Sequence, residues 1–379
     1  MTPNTKNILL AAVACLSFTA CMTSRQTTDN TTAYKTENIT GFPTDEDGYG
    51  LGVSACYAGR IGDCIIIAGG CNFPAPGKKR YYKGIYAARP EGHRLNWRLV
   101  GYLPEAAAYG VTVESGDSLV LAGGCNTGHS LSTVLSLHLD TTRWEATVRR
   151  LPSLPCTADN TGGTRCGNNI YIVGGIQDGK SSTDVWAANL CGTLQWNRTA
   201  SLPGAPRVQP ACASDGAGVY VWGGFSQDGE NSTVHCDGLR YDIPSGIWQP
   251  LPAPQSVDGQ ELTLSGGTAT TIKSGKDGHL LIVCTGGVNK DIFLDAISGR
   301  YQLTGKAEYL NHPIDWYRFN GRMLTYDTST KKWLAPVPSD KRLARAGAQA
   351  IVYGGQIYYI GGELKPAVRT PDIVRTTRR

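Results

Sequence analysis

Short apolar stretches recur along the chain, and six of them end in a pair of glycines. The six pairs are Gly69-Gly70, Gly123-Gly124, Gly174-Gly175, Gly223-Gly224, Gly286-Gly287 and Gly361-Gly362. Each pair is followed by a loop and a second apolar stretch, and the first five copies then continue to a tryptophan and an apolar residue before proline. Apolar runs of this length without helical periodicity predict buried β-strands.

Successive Gly-Gly pairs lie 54, 51, 49, 63 and 75 residues apart. A period of about 50 residues is typical of kelch repeats, in which each copy forms one four-stranded blade. The glycines would end the second strand of each blade, where backbones crowd together and positive φ angles are needed. We therefore predict an all-β fold, a six-bladed β-propeller of kelch repeats with its largest insertions in the fifth repeat.

The sixth repeat lacks an outer strand. The segment of about 33–43 resembles such a strand followed by its proline, and we expect it to pair with the strand near 370–374. Blade 6 would then consist of 347–379 plus about 33–43, and the propeller would span 33–379. Joining both ends of the chain in one blade closes the ring and leaves no open sheet edge.

Composition agrees with many short strands and tight turns, since the chain has 47 glycines and 20 prolines but only 6 phenylalanines. The formal charge of +5 arises from 36 basic and 31 acidic residues that are interspersed. Without a basic stripe or a recognition motif, we expect no nucleic-acid partner. The twelve cysteines show no zinc spacing, so no metal site is predicted, and Cys64 and Cys284 in apolar runs are expected to be free buried thiols.

The N-terminus carries an apolar run over residues 8–20 that follows Lys6. This run is too short to span a bilayer and predicts a signal peptide over 1–21. Small residues before Cys21 resemble a bacterial lipobox, which would make Cys21 the lipidated residue, with 22–32 as a flexible tether. We expect an exported bacterial protein, periplasmic or lipid-anchored to the envelope; a plain cleaved signal near Ala20 is the alternative.

Function is expected at one mouth of the axial channel, because the loops after Gly-Gly and the loops that open each blade converge there. Polar groups of several types in these loops suit a hydroxylated, anionic small molecule. Besides the residues assigned below, they include Tyr109, Asn126, His129, Asp159, Asn160, Gln177, Asp178, Asp258, Glu261 and Asp291.

The last loop, residues 361–370 (Gly-Gly-Glu-Leu-Lys-Pro-Ala-Val-Arg-Thr), closely resembles the Gly-Glu-x-Lys-Pro-Gly-x-Arg-Thr loop of bacterial kelch-type sialic acid mutarotases, also called N-acetylneuraminate epimerases. Ala367 stands where that family has glycine. Segments 69–74, 286–293 and 108–111 agree with the family as well. The Glu-x-Lys-Pro loop comes last here rather than before the others, so the chain resembles a cyclically permuted branch.

The resemblance implies a cofactor-independent mutarotase that interconverts the α- and β-anomers of N-acetylneuraminic acid by acid/base ring opening. It assigns Glu363 as the base and Arg369 as the group that holds the sugar carboxylate. We predict further substrate contacts from the same mouth, by Asn72, Phe73, Asn289, Arg207, Gln209, Arg345 and Lys365.

Other functions are compatible with the same fold. A non-enzymatic sugar-binding or adapter propeller would keep the pocket without the chemistry. A sialidase is disfavoured because no Ser-x-Asp-x-Gly-x-x-Trp box occurs, and a copper oxidase because the six histidines are scattered.

Overall fold

The computed structural model describes residues 34–274 and 278–378. Six four-stranded sheets have the same up-and-down order, and all their strand pairs are antiparallel. The innermost strand of each sheet contacts the innermost strands of both neighbouring sheets. The sheets are therefore the blades of a ring, and the predicted six-bladed β-propeller is confirmed.

The strands are numbered along the chain. The N-terminal strand and blade 1 with its loops comprise β1 (Tyr34–Ile39), β2 (Tyr57–Ile61), β3 (Cys64–Ala68), β4 (Cys71–Ala75), β5 (Lys78–Tyr81), β6 (Gly84–Ala88), β7 (Pro90–Glu91), β8 (Arg94–Leu95) and β9 (Arg98–Tyr102). Blade 2 comprises β10 (Val111–Ser115), β11 (Ser118–Ala122), β12 (Val134–Asp140) and β13 (Glu145–Leu151). Blade 3 comprises β14 (Ala158–Asp159), β15 (Gly162–Cys166), β16 (Asn169–Val173), β17 (Ile176–Gln177), β18 (Lys180–Ser181), β19 (Val185–Asn189) and β20 (Trp196–Arg198).

Blades 4 to 6 follow the same plan. Blade 4 comprises β21 (Ala211–Ser214), β22 (Gly218–Trp222), β23 (Phe225–Ser226), β24 (Thr233–Val234), β25 (Gly238–Asp242) and β26 (Ile247–Leu251). Blade 5 comprises β27 (Thr268–Ser274), β28 (His279–Thr285), the helix α1 (Lys290–Ile297), β29 (Leu324–Asp327) and β30 (Lys332–Trp333). Blade 6 comprises β31 (Gln349–Tyr353), β32 (Gln356–Ile360), β33 (Glu363–Lys365), β34 (Val368–Arg369) and β35 (Ile373–Arg378). Short 3-10 helices lie at Tyr49–Leu51, Ile314–Tyr317 and Lys341–Leu343.

The hydrophobic core lies between the blades, in one cluster for each pair of neighbours. Strand β3 shows why the second strand of each blade reads as a continuous apolar run. Ile66 packs toward blade 2, whereas Ile65 and Ile67 pack toward blade 6. Because successive side chains of a strand point to opposite faces, a blade covered on both sides needs apolar residues at every position.

Four of the repeated tryptophans tie neighbouring blades together. The indole N–H groups of Trp196, Trp248 and Trp333 donate to carbonyls of Pro152, Ala200 and Pro252, at the outer edge of the preceding blade, over 2.9 to 3.1 Å. In blade 1, Trp97 donates in the same way to Gly41, just after β1. This contact gives β1 the place of an outer strand in blade 6.

Strand β1 completes blade 6 by pairing with β35 from Tyr34–Arg378 to Ile39–Ile373. The N- and C-terminal strands of the described chain therefore lie in one sheet, as the fold prediction required. The predicted signal peptide (1–21), lipidated Cys21 and most of the tether (22–32) lie outside the described residues and stay predictions. No helix in the described ranges is long and apolar enough to cross a membrane. The ten cysteines described, Cys64 and Cys284 among them, have free thiols.

Candidate active site

A ring of six residues surrounds one mouth of the axial channel, just before the innermost strands. These residues, here called the mouth ring, are Ala55, Tyr109, Asn160, Gln209, Gly266 and Gly347, and all have positive φ. The backbone N–H of each donates to the carbonyl of the mouth-ring residue in the preceding blade, over 2.7 to 2.9 Å, and Ala55 closes the circle by donating to Gly347. Four of the six are not glycine, a strained backbone that clusters at functional sites.

The residue after each Gly-Gly pair bonds to the residue just before the mouth ring. In blade 6, Ala346 and Glu363 exchange two backbone hydrogen bonds of 2.9 and 2.7 Å. The equivalent residues of the other blades are Cys71, Cys125, Ile176, Phe225 and Val288. The repeated scaffold therefore brings a carboxylate to this position in blade 6, where the other five blades have an apolar residue or a cysteine.

Glu363 lines a pocket of about 160 Å³ beside the channel. The pocket wall combines the aromatic residues Phe225, Phe293, Tyr309, Tyr317 and Phe319 with Gln209 and Asn289. Gln209 also lines the channel opening, which has a volume of about 230 Å³, so the two spaces adjoin. A concave site with aromatic walls and a few converging polar groups is typical of small-molecule binding.

Glu363 and Arg369 face each other across the β33–β34 hairpin. Arg369 Nη1 lies 2.8 Å from Glu363 Oε2, and the guanidinium carbon lies 5.1 Å from the ring centroid of Phe73. The Glu363 side chain is 23% exposed, but that of Arg369 is only 4% exposed. The carboxylate is thus accessible from the pocket, whereas the guanidinium lies behind it.

Burial raises the pKa of the Glu363 carboxyl above its usual range, and the positive charges of Arg369 and Lys79 offset part of this effect. Burial acts to lower the pKa of Arg369, but Glu363 and Tyr109 more than compensate, so this guanidinium stays charged. Burial also raises the pKa of Tyr109 well above its ordinary value. At neutral pH the site therefore combines an ionisable carboxyl, a fixed cation and a protonated phenol.

Lys365 lies on the same hairpin but is not among the residues that line the pocket. Its Nζ donates to the carbonyls of Leu310 and His312, over 3.1 and 2.7 Å. These carbonyls belong to the blade 5 insertion that carries Tyr309 and Tyr317 to the pocket. The Lys365 ammonium thus holds this insertion against the hairpin, and its contact with substrate stays a prediction.

Arg207 and Arg345 occupy the same position in blades 4 and 6, and their Nη1 atoms make equivalent bonds. Arg207 Nη1 donates to the carbonyls of Gly223 and Asp237, and Arg345 Nη1 to those of Gly361 and Asp372, over 2.8 to 3.3 Å. The side chains are 3% exposed for Arg207 and similarly buried for Arg345, whose pKa burial lowers to about 10. Both arginines brace the Gly-Gly turns, and their contact with substrate stays a prediction.

The two predicted asparagines are likewise engaged within the protein. The Asn72 amide donates to the carbonyls of Gly48 and Gly52 and accepts from the Tyr82 hydroxyl, and the residue is 1% exposed. Asn289 caps α1, since its side-chain oxygen accepts from the Asp291 and Ile292 N–H groups. Asn72 is therefore structural, while Asn289 lines the pocket with its oxygen already bonded.

Gln209 and Phe73 remain next to the candidate site. Gln209 has a φ of 52° and donates to the Asn160 side-chain oxygen over 2.6 Å, which orients both amides at the mouth. Phe73 is half-buried under the Arg369 guanidinium. Gln209 is thus placed to contact a ligand, and Phe73 to support Arg369.

Sequence reasoning missed Lys79, Tyr309 and Tyr317. Lys79 lies on the β4–β5 hairpin, and its Nζ lies 3.4 Å from the Tyr109 hydroxyl. The two tyrosines belong to the insertion in the fifth repeat. The 75-residue spacing between the fifth and sixth Gly-Gly pairs shows that this repeat is longer than the others. This length was the signal that predicted additional residues on the loop face.

Fold and site together define a kelch-type propeller with a half-buried carboxylate at one mouth. A family model described as N-acetylneuraminate epimerase matches residues 151–378, more than half of the sequence. The chain belongs to this family. The matched region contains the β33–β34 hairpin but not blade 1, a partial match that a cyclic permutation of the repeats would produce.

Several curated relatives are also similar to this chain. The N-acetylneuraminate epimerase 1 of Escherichia coli O6:H1 is 30% identical over 223 residues, which are 53% of this chain and 55% of the relative. The N-acetylneuraminate epimerase of Haemophilus influenzae strain 86-028NP is 27% identical over 236 residues, 60% of each chain. The match thus spans little more than half of these relatives. The solved structure of YjhT aligns at 23% identity with a TM-score of 0.49, over 60% of this chain and 66% of its own.

Proposed function

We propose that this protein is a mutarotase that interconverts the α- and β-anomers of N-acetylneuraminic acid without a cofactor. The observation that carries the proposal is the Glu363 carboxylate, which reaches a pocket while burial raises its pKa. It lies in the region matched by the N-acetylneuraminate epimerase family model. The names of the relatives supply the substrate class.

Exchange of anomers requires that the sugar ring open and close again. The anomeric hydroxyl loses its proton, the bond between the anomeric carbon and the ring oxygen breaks, and the ring oxygen gains a proton. The open form is a ketone, and closure on its opposite face gives the other anomer. Apart from the breaking and re-forming of this C–O bond, the reaction only transfers protons. It therefore requires a group that accepts a proton and a group that donates one.

Glu363 is the proton acceptor in this proposal. A general base is most effective when its pKa approaches the working pH, and burial moves the pKa of Glu363 in that direction. The positive charge of Arg369, whose Nη1 lies 2.8 Å from the carboxylate, stabilises the ionised form of Glu363. Burial and Arg369 act on this pKa in opposite directions, and the net effect is a carboxylate more basic than that of an exposed glutamate.

Two groups hold a proton once the anomeric hydroxyl has been deprotonated. One is Glu363 itself, which can return the proton to the ring oxygen. The other is Tyr109, whose hydroxyl stays protonated because burial raises its pKa. Its positive φ of 63° sets the side chain at the channel mouth, next to the pair formed by Glu363 and Arg369.

The test is anomeric exchange followed by NMR, with α-N-acetylneuraminic acid released freshly by a sialidase. We expect the purified protein to speed conversion to the β-anomer well above the spontaneous rate, and a panel of neutral reducing sugars to gain little. A folded protein that binds the sugar tightly without any change in rate would instead identify a sugar-binding propeller.

A further inference from the structure

The cations near the mouth differ in how free they are to meet a ligand. Arg369 is 4% exposed and paired with Glu363, while Arg207 and Arg345 are buried against backbone carbonyls. Lys365 is held by the blade 5 insertion. A substrate carboxylate would have to compete with Glu363 for Arg369 and with existing hydrogen bonds for the other three groups, which costs part of the energy gained.

Lys79 differs from all four because its side chain is exposed at the rim. Its Nζ lies 4.5 Å from the ring centroid of Tyr109 and 4.9 Å from that of Tyr81. It also contacts the Tyr109 hydroxyl at 3.4 Å. The described contacts of Lys79 are thus with two aromatic rings and a hydroxyl, which orient the ammonium without neutralising it.

The Lys79 ammonium is also electrostatically coupled to the candidate base. Its positive charge offsets part of the rise in the pKa of Glu363 that burial causes. Tyr109, against which Lys79 packs, belongs to the mouth ring and lines the channel opening. An anion bound by Lys79 would therefore lie at the mouth beside the carboxylate that accepts the proton.

We propose that Lys79 is the residue that binds the carboxylate of the anionic sugar, and that Arg369 serves to position Glu363. This inference rests on the proposed function, because it names the group that selects acidic over neutral sugars for that same site. It reverses the role that the family resemblance assigned to Arg369. Anion binding would also cancel the charge that holds down the basicity of Glu363, so substrate itself would strengthen the base.

The experiment compares Lys79→Met with Lys78→Met, using N-acetylneuraminic acid and its uncharged methyl ester. Both substitutions remove one positive charge from β5, but adjacent strand residues point to opposite faces, so Lys78→Met controls for net charge. We expect Lys79→Met to raise KM for the acid about 10- to 100-fold, the range for a lost charged hydrogen bond. KM for the ester, and both values in Lys78→Met, should stay close to those of the parent.

Direct calorimetric binding of the acid and the ester separates this inference from the proposed function. If the parent does not accelerate anomer exchange but binds the acid in a Lys79-dependent way, the proposed function fails and this inference stands. Equal losses for acid and ester in Lys79→Met would overturn it, as would an unchanged KM for the acid or a parent that binds neither compound. Lys79→Arg, which keeps the charge, should recover most of the affinity for the acid.

Discussion

Blades 4 and 6 share a scaffold but differ at one position that decides their chemistry. Arg207 and Arg345 brace the two Gly-Gly turns with the same hydrogen bonds. The residue after the turn is Phe225 in blade 4 and Glu363 in blade 6, and each pairs with the residue before the mouth ring. Both side chains line the same pocket. Blade 4 thus supplies an apolar wall and blade 6 a carboxylate.

The comparison teaches that repetition builds the ring, while single departures from it build the site. Gly-Gly and tryptophan recur because each blade must meet its neighbours in the same way. A carboxylate after Gly-Gly has no such structural use. It lies half-buried, and burial raises its pKa. A carboxyl group in such an unfavourable environment is expected where function requires it.

The largest effect is expected from a substitution at Glu363, the position at which blade 6 differs from blade 4. Glu363→Gln keeps the shape of the side chain but removes the proton acceptor, so kcat for anomer exchange should fall by about 10²- to 10⁴-fold, the usual share of a general base. The measurement is exchange by NMR, alongside calorimetric binding of the sugar. The equivalent change in blade 4, Phe225→Leu, should act mainly on KM. Retention of the parental kcat by Glu363→Gln would return Glu363 to a structural role.

The second largest effect is expected at Arg207, which braces the Gly-Gly turn of blade 4 as Arg345 does in blade 6. Arg207→Met removes a buried guanidinium from two backbone carbonyls and from Asp237, which it contacts at 2.9 Å. We expect the free energy of unfolding to fall by about 2–4 kcal/mol in urea titrations. The folded fraction should exchange anomers at nearly the parental rate. A selective loss of affinity for the acidic sugar, with stability intact, would restore the substrate-binding role predicted from the sequence.

The smallest effect is at Ala367, which stands where the family resemblance places glycine. Its φ is 66°, in a region that costs an L-residue about 1–2 kcal/mol. Ala367→Gly relieves this strain but gains entropy in the unfolded chain, so the net increase in stability should be about 0.5–1 kcal/mol. Thermal unfolding at matched pH measures it. A decrease in stability would show that the β33–β34 turn is not strained by Ala367.

The six blades could be predicted because the Gly-Gly spacing repeats and each repeat must bury two faces. Glu363 could be found because its loop resembles a specific family motif. The bonds of Arg207 and Arg345 to the Gly-Gly turns could not be predicted, because a sequence does not show whether a guanidinium points into the channel or back to its own turn. Lys79 could not be found either, because its significance depends on a contact with Tyr109, which is distant in the sequence.

In the proposed reaction the half-buried Glu363 carboxylate accepts the proton from the anomeric hydroxyl. The most direct test is kcat/KM for exchange against pH, after subtraction of the spontaneous rate, in the parent and in Glu363→Gln. A base works only when deprotonated, so kcat/KM should fall as pH decreases through the pKa of Glu363. Because burial raises that pKa, the acid limb should lie above the value of about 4.3 typical of exposed glutamate. The limb should vanish from the residual activity of Glu363→Gln; the same limb in both proteins would contradict the account.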